Sequence, residues 1–99
     1  MAEEQQPPEF VRVRTPRPGE IFGVVTEMHG GARMMVQCID GKTRMCRVPG
    51  KIKRRIWVKV GDVVLITPWS IEPETKADIS YRYTRLQADE LRRRGILKI

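Results

Sequence analysis

The sequence predicts an all-β fold in which five short strands close into a small barrel, with a helical turn between the third and fourth strands and a short C-terminal helix. Three observations carry that reading. Short segments rich in Val, Ile, Met and aromatic residues alternate apolar with polar side chains, the period of two that a half-buried strand requires. Turn-forming pairs, Gly30-Gly31, Asp40-Gly41, Pro49-Gly50 and Gly61-Asp62, punctuate those segments at short intervals. A chain of 99 residues also holds one compact domain, whose small core carries little spare stability.

Residues 1–18 contain Pro7, Pro8, Pro16 and Pro18 among scattered charges and show no sustained period, so they read as a flexible arm. Arg12, Arg14 and Arg17 make its second half basic, which suits either an inert spacer or a segment laid along RNA. The barrel is expected over residues 19–84. Its first strand runs from Glu20 to Met28, rich in β-branched and aromatic residues, and stops at Gly30-Gly31. The second spans Ala32 to Ile39 and places Met34, Val36 and Cys38 on one face, Arg33, Met35, Gln37 and Ile39 on the other. Asp40-Gly41 favours a tight hairpin, and the third strand returns over Thr43 to Val48 with Cys46 and Val48 inward, Met45 and Arg47 outward.

After Pro49-Gly50, residues 51–57 suit a helical turn with Ile52 and Ile56 four apart on its buried side. Gly61-Asp62 opens the apolar fourth strand Val63-Val64-Leu65-Ile66. Ile71 to Thr75 is a polar loop, and the fifth strand, Ala77 to Thr84, sets Ile79 and Tyr81 against Ser80 and Arg82. Five strands in this order, with a helical insert before the fourth, describe an OB-fold barrel. Residues 85–99 form a helix and tail. Leu86 to Arg94 carries acids early and arginines late, stops at Gly95, and is expected to pack Leu86 and Leu91 on the barrel. Ile96-Leu97-Lys98-Ile99 then reads as a frayed end, or as a short apolar hook for a partner.

Composition excludes several classes of protein. No apolar run is long enough to span a bilayer, and the N-terminus lacks the basic start and apolar stretch of a secretory signal, so a cytoplasmic protein with reduced Cys38 and Cys46 is expected. His29, the single histidine, sits beside a turn. Asp40, Asp62 and Asp78 fall at turns or strand starts, with no second carboxylate spaced for acid–base work. The two cysteines lack a partner pair at metal-ligand spacing, and Gly30-Gly31 lacks the Lys-Ser/Thr and following helix of a phosphate loop. Neither an enzyme nor a cofactor or metal is expected.

The net charge of +7 is concentrated. Between Arg33 and Lys59 stand nine basic residues (Arg33, Lys42, Arg44, Arg47, Lys51, Lys53, Arg54, Arg55, Lys59) against the single acid Asp40, leaving the remainder of the chain slightly negative. A concentrated positive charge fits a polyphosphate partner. Arg33 and Arg47 share the outer face of one hairpin, Arg44 lies in the same basic segment, and Lys51, Lys53, Arg54 and Arg55 extend it. Arginine pairs bidentately with phosphate and stacks on bases, whereas lysine acts as a point charge, so backbone tracking and shape recognition are favoured over sequence reading. Among six aromatics, Phe22 and Tyr81 are assigned to the core. Trp57, Trp69 and Tyr83 are either exposed or partly buried beside apolar neighbours; Trp57 and Trp69 are the candidates for base stacking, and outward Met35 and Met45 would cover a base or a neighbouring protein, or are simply tolerated at the surface.

Asp40-Gly41 followed by Lys42-Thr43-Arg44-Met45-Cys46, the stretch Gly50-Lys51-Ile52-Lys53-Arg54-Arg55-Ile56-Trp57-Val58, Gly61-Asp62, Lys76-Ala77-Asp78-Ile79 and Tyr83 together resemble the translation initiation factor 1A family of archaea and eukaryotes, and more distantly bacterial initiation factor one. The likeness runs from about Gly19 to Leu97. It implies an S1-like OB-fold that occupies the aminoacyl-tRNA site of the small ribosomal subunit, touches ribosomal RNA and a ribosomal protein, aids placement of initiator tRNA and mRNA, and meets other initiation factors, the subunit-joining GTPase among them. It implies a monomer that is not an enzyme. Arg33, Lys51, Lys53, Arg54 and Arg55 correspond to basic positions of that family's RNA-binding face, and Arg82 to one on its last strand. The long eukaryotic tails have no counterpart at that length, so the archaeal form fits better. The alternative is a general single-stranded RNA-binding protein or RNA chaperone; an adaptor for an acidic protein is a third reading.

Overall fold

Alternation decides which side of each strand is buried, and the strands observed follow it closely. The structure, a computed structural model, describes residues 13–50 and 57–99. Strands β1 (Ile21–Gly30), β2 (Arg33–Cys38), β3 (Thr43–Arg47), β4 (Val63–Pro68) and β5 (Lys76–Arg82) precede helix α1 (Arg85–Arg93). They close into a barrel in the order β1-β2-β3-β5-β4, the OB-fold expected from the sequence. The long strand β1 pairs antiparallel with both β2 and β4, and a register shift between Val25 and Glu27 lets it bend from one partner to the other. Closure is made by β3 and β5, the one parallel pair among the described residues, through Met45↔Lys76, Cys46↔Ala77 and Arg47↔Asp78. The expected helical turn with Ile52 and Ile56 lies outside the described residues.

Two apolar clusters fill the molecule. Val25, Met34, Val36, Cys38, Cys46, Val64, Ile66 and Ile79 pack inside the barrel. Phe22, Val63, Leu65, Tyr83, Ala88, Leu91 and Leu97 join the barrel wall to α1. Strand β4 serves both clusters, which is why Val63 to Ile66 is an unbroken apolar run: one side faces the interior and the other lies under the helix. Both cysteines are buried free thiols, and burial pushes that of Cys46 up to about 12.

The ends of the barrel depart from the sequence expectations in three ways. First, α1 starts at Arg85, so Asp89 and Glu90 fall mid-helix and no acid occupies the first turn. Its exposed amides are satisfied by a capping box in which the Thr84 hydroxyl accepts from the Gln87 amide at 3.1 Å and Gln87 Oε1 accepts from the Thr84 amide at 2.9 Å. Leu86 is exposed, and Ala88 and Leu91 supply the buried face. Second, the tail is folded back. Gly95 adopts φ 79°, and the Ile96 amide reaches the Leu91 carbonyl at 2.9 Å while the Gly95 amide reaches Arg92 at 3.0 Å, a Schellman turn that buries Leu97. Third, the expected flexible arm is tied down from Val13, which packs on the second cluster. Both terminal nitrogens of Arg14 donate to Glu20 at 2.9 Å, and its guanidinium lies 5.1 Å from the Tyr81 ring centroid. The buried Tyr83 hydroxyl donates to the Arg14 carbonyl. Burial pushes the Glu20 carboxyl up, but hydrogen bonds from Arg14, the Arg17 amide and Ser80 outweigh it and hold the group down at about 2.

Candidate nucleic-acid interface

Pairing of β2 with β3 sets Arg33 directly opposite Arg47, and both side chains are exposed, as the outward positions of the hairpin require. Two like charges side by side repel one another, so this arrangement is at its best with an anion between them. The parallel ladder brings Lys76 alongside Met45, next to that pair. Arg33, Met45, Cys46, Arg47, Trp69 and Lys76 line a cavity of about 160 Å³. Its wall is organised by Trp69. The indole Nε1 donates to Asp78 Oδ1 at 2.9 Å, while the Arg47 guanidinium and Lys76 Nζ lie over the ring at 5.1 and 5.7 Å from its centroid. Met35 and Met45 are neighbours across the same hairpin and are partly exposed.

Other expected site residues separate into distinct places. Arg82 stands four residues beyond Asp78 on β5, roughly 13 Å along the strand. It lines a second, larger cleft of about 520 Å³ between the barrel and α1, with Lys59, Arg85 and Arg92 as further basic walls. Two of those cations have carboxylate partners, Lys59 with Asp62 at 3.7 Å and Arg92 with Asp89 at 3.2 Å. The Nε of Arg82 is buried and has no hydrogen-bond partner among the described residues. Trp57 is 84% exposed, free to meet a base. Lys51, Lys53, Arg54 and Arg55 lie outside the described residues.

Two expectations need correction. Arg44 is only 3% exposed and cannot face RNA. Its Nε donates to the Pro73 carbonyl at 2.6 Å, and its two terminal nitrogens donate to the two oxygens of Asp40 at 3.2 and 2.9 Å, so this guanidinium staples the hairpin to the loop before β5. Trp69 is not an open stacking platform, because its edge is bonded to Asp78 and two cations lie over its ring. Lys76 and Asp78, present in the sequence motifs, were not expected at this face. Their membership depends on the parallel β3–β5 register, which leaves no local signal in either segment. Among the described residues, no group of three or more His, Cys, Asp or Glu side chains is placed to hold a metal ion. His29 is exposed and pairs with Glu27 at 3.0 Å. No helix among the described residues is long and apolar enough to cross a membrane.

A family model described as translation initiation factor 1A / IF-1 matches residues 9–98. A translation initiation factor 1A from Methanothermobacter thermautotrophicus is 50% identical over 99 residues, covering 100% of both chains. One from Methanopyrus kandleri is 54% identical over 86 residues, 87% of this chain and 77% of the relative. Among solved structures, the translation initiation factor one of the Wolbachia endosymbiont of Brugia malayi superimposes with a TM-score of 0.54 at 27% identity, over 73% of this chain and 84% of that one.

Proposed function

Since the chain belongs to the translation initiation factor 1A / IF-1 family and so acts in the initiation of translation, we propose that it works by gripping ribosomal RNA at the aminoacyl-tRNA site of the small subunit. The observation that supports this most directly is the cluster of exposed Arg33 and Arg47 with half-buried Lys76 around the cavity beside Trp69. Three cations converge there with one carboxylate, Asp78, among them, an arrangement that suits a phosphodiester rather than a neutral ligand. Arg82, which lines the second cleft, supplies a further contact. Lys51, Lys53, Arg54 and Arg55 add the densest charge of the sequence between β3 and β4.

In this reading the protein occupies the space an elongator tRNA would enter and favours the subunit conformation that accepts initiator tRNA at the start codon. It works in the cytoplasm as a monomer, against a ribosomal protein and beside the other initiation factors, including the GTPase that joins the subunits. No catalytic step enters. Sedimentation with purified small subunits tests it: if about six phosphates are neutralised, affinity falls roughly a thousandfold between 50 and 200 mM salt. Affinity that is flat over that range refutes the reading. Replacing Lys53, Arg54 and Arg55 together by Ala is expected to weaken binding without unfolding the barrel.

The exposure of Trp57 favours one other reading, a general binder of single-stranded RNA that stacks bases on this ring. An unstructured oligonucleotide that quenches tryptophan fluorescence and displaces the protein from small subunits at equal concentration would establish it instead.

A further inference from the structure

We infer that Asp78 is a positioning residue of the RNA-binding face, fixing the Trp69 indole and the Arg47 side chain so that the guanidinium meets a phosphate already oriented. The inference rests on the reading of this face given above. A carboxylate is at first sight the wrong charge for a surface that binds a polyanion, and the manner of its bonding shows what it does there.

Apart from Arg92, Arg93 and Arg94 at the end of α1, three arginines among the described residues face carboxylates, and they do so in two ways. Arg14 and Arg44 turn both terminal nitrogens onto the two oxygens of Glu20 and Asp40, a bidentate fork that consumes their donors; their side chains are 21% and 4% exposed. Arg47 is different. Its side chain is 56% exposed, and it makes no hydrogen bond to Asp78; its Nε stands 3.6 Å from Asp78 Oδ1 as an ion pair. The terminal nitrogens, which form the fork that recognises phosphate, are left uncommitted to any carboxylate among the described residues. The same Oδ1 accepts the Trp69 Nε1 hydrogen at 2.9 Å, and the indole so anchored carries the Arg47 guanidinium at 5.1 Å and Lys76 Nζ at 5.7 Å over its ring. Asp78 is the register partner of Arg47 in the parallel ladder, so the carboxylate is delivered to this spot by the backbone. One oxygen thus bonds the ring and attracts the inner end of the guanidinium, and two long, flexible cations are drawn beside one cavity before RNA arrives. Confinement of this kind lowers the conformational entropy lost on binding.

Electrostatics and positioning give opposite signs for the same substitution, which makes the test decisive. Asp78→Ala removes a negative charge from an RNA-binding face, so simple repulsion requires tighter binding. Positioning requires weaker binding, by about tenfold, with a salt slope lower by up to about one unit because the Arg47 phosphate contact is the one lost. Trp69→Phe keeps an aromatic face and the charge of Asp78 while deleting the indole donor together with its five-membered ring; its expected loss is several-fold. In an Arg47→Ala background the weakening by Asp78→Ala is expected to shrink to the part carried by Lys76, since the carboxylate acts mainly through Arg47. All are measured as affinity for purified small subunits from 50 to 200 mM salt, well below each variant's melting temperature. A defect confined to the fold lowers that temperature and leaves the salt slope alone. Should Asp78→Ala fail to fold, Trp69→Phe alone decides. Binding by either variant equal to or tighter than that of the unaltered chain overturns the inference, while salt-independent binding of the unaltered chain overturns the RNA reading itself.

Discussion

Replacing Arg44 by Met separates charge that grips a ligand from charge that holds the fold. The substitution keeps most of the apolar stem and deletes three hydrogen bonds, one to the Pro73 carbonyl and two to Asp40. Removing one partner of a fully buried ion pair costs about 3–5 kcal/mol. Here the Asp40 side chain is 33% exposed and recovers part of its hydration, which lowers that term. The Pro73 carbonyl loses its donor at about 1–3 kcal/mol. Together these give a destabilisation of roughly 2–4 kcal/mol, read as a fall in Tm of about 10–30 °C for a domain of this size. Urea unfolding followed by circular dichroism measures it, with the midpoint lowered and the slope unchanged. The Asp40 carboxyl is held below its usual range by the Arg44 hydrogen bonds, so the pair stabilises fully above the carboxyl's unfolded value and loses that contribution as pH falls through the lowered folded value; the cost of the substitution therefore shrinks in acid. At a temperature where the variant is folded, its affinity for small subunits is expected within about twofold of the parent, against a clear loss for Arg47→Met. A stable Arg44→Met protein that binds weakly would refute this partition and put Arg44 back on the RNA face.

Three further outcomes follow from the packing. Tyr83→Phe removes the hydroxyl that donates to the Arg14 carbonyl and is expected to cost about 1 kcal/mol at neutral pH. Burial pushes the Tyr83 hydroxyl up to about 12 from an ordinary 10, so its contribution is complete below pH 10 and lost as pH rises through about 12. Denaturant midpoints at pH 8 and 11 should fall less steeply for the Phe variant, with the buried thiols of Cys38 and Cys46 contributing to the remaining dependence. Leu97→Ala is expected to cost about 2 kcal/mol in the same assay, where a frayed end would give no change. Gly23→Ala would set a Cβ 2.4 Å from Val36 Cγ1 and 3.2 Å from the Gln37 carbonyl; it is expected to cost about 1–3 kcal/mol, partly recovered by Val36→Ala in the same chain.

Strand periodicity made most of the barrel legible. Met34, Val36 and Cys38 point inward as their alternation requires, and Asp40-Gly41 makes the hairpin between β2 and β3. The same rule applied without regard to charge places Arg44 inward too, two residues before Cys46; grouping it with the surface arginines followed its type and ignored its phase. Leu86 and Leu91 are five residues apart, about 140° around a helix, so they cannot share its buried stripe, whereas Ala88 and Leu91 can. What periodicity could not carry is long-range. The docking of Val13 and Arg14 depends on Glu20, Tyr81 and Tyr83, and the tail is buried by a turn at Gly95 after the helix ends. The basic face was legible as a run of charge in the sequence. Its focus around Trp69 was not, because Lys76 and Asp78 reach Arg47 only when the barrel shuts.

The β3–β5 ladder has three residue pairs, fewer than any other in the barrel, and Arg47↔Asp78 is its last rung. A short seam is where native-state breathing concentrates, and its amides should exchange with deuterated solvent ahead of those in β1. A polyanion lying across Arg47 and Lys76 straddles both lips of that seam. Holding the nucleic acid and keeping the barrel shut are then a single equilibrium, so slower exchange at Met45 to Arg47 and Lys76 to Asp78 reports occupancy from the protein's own backbone.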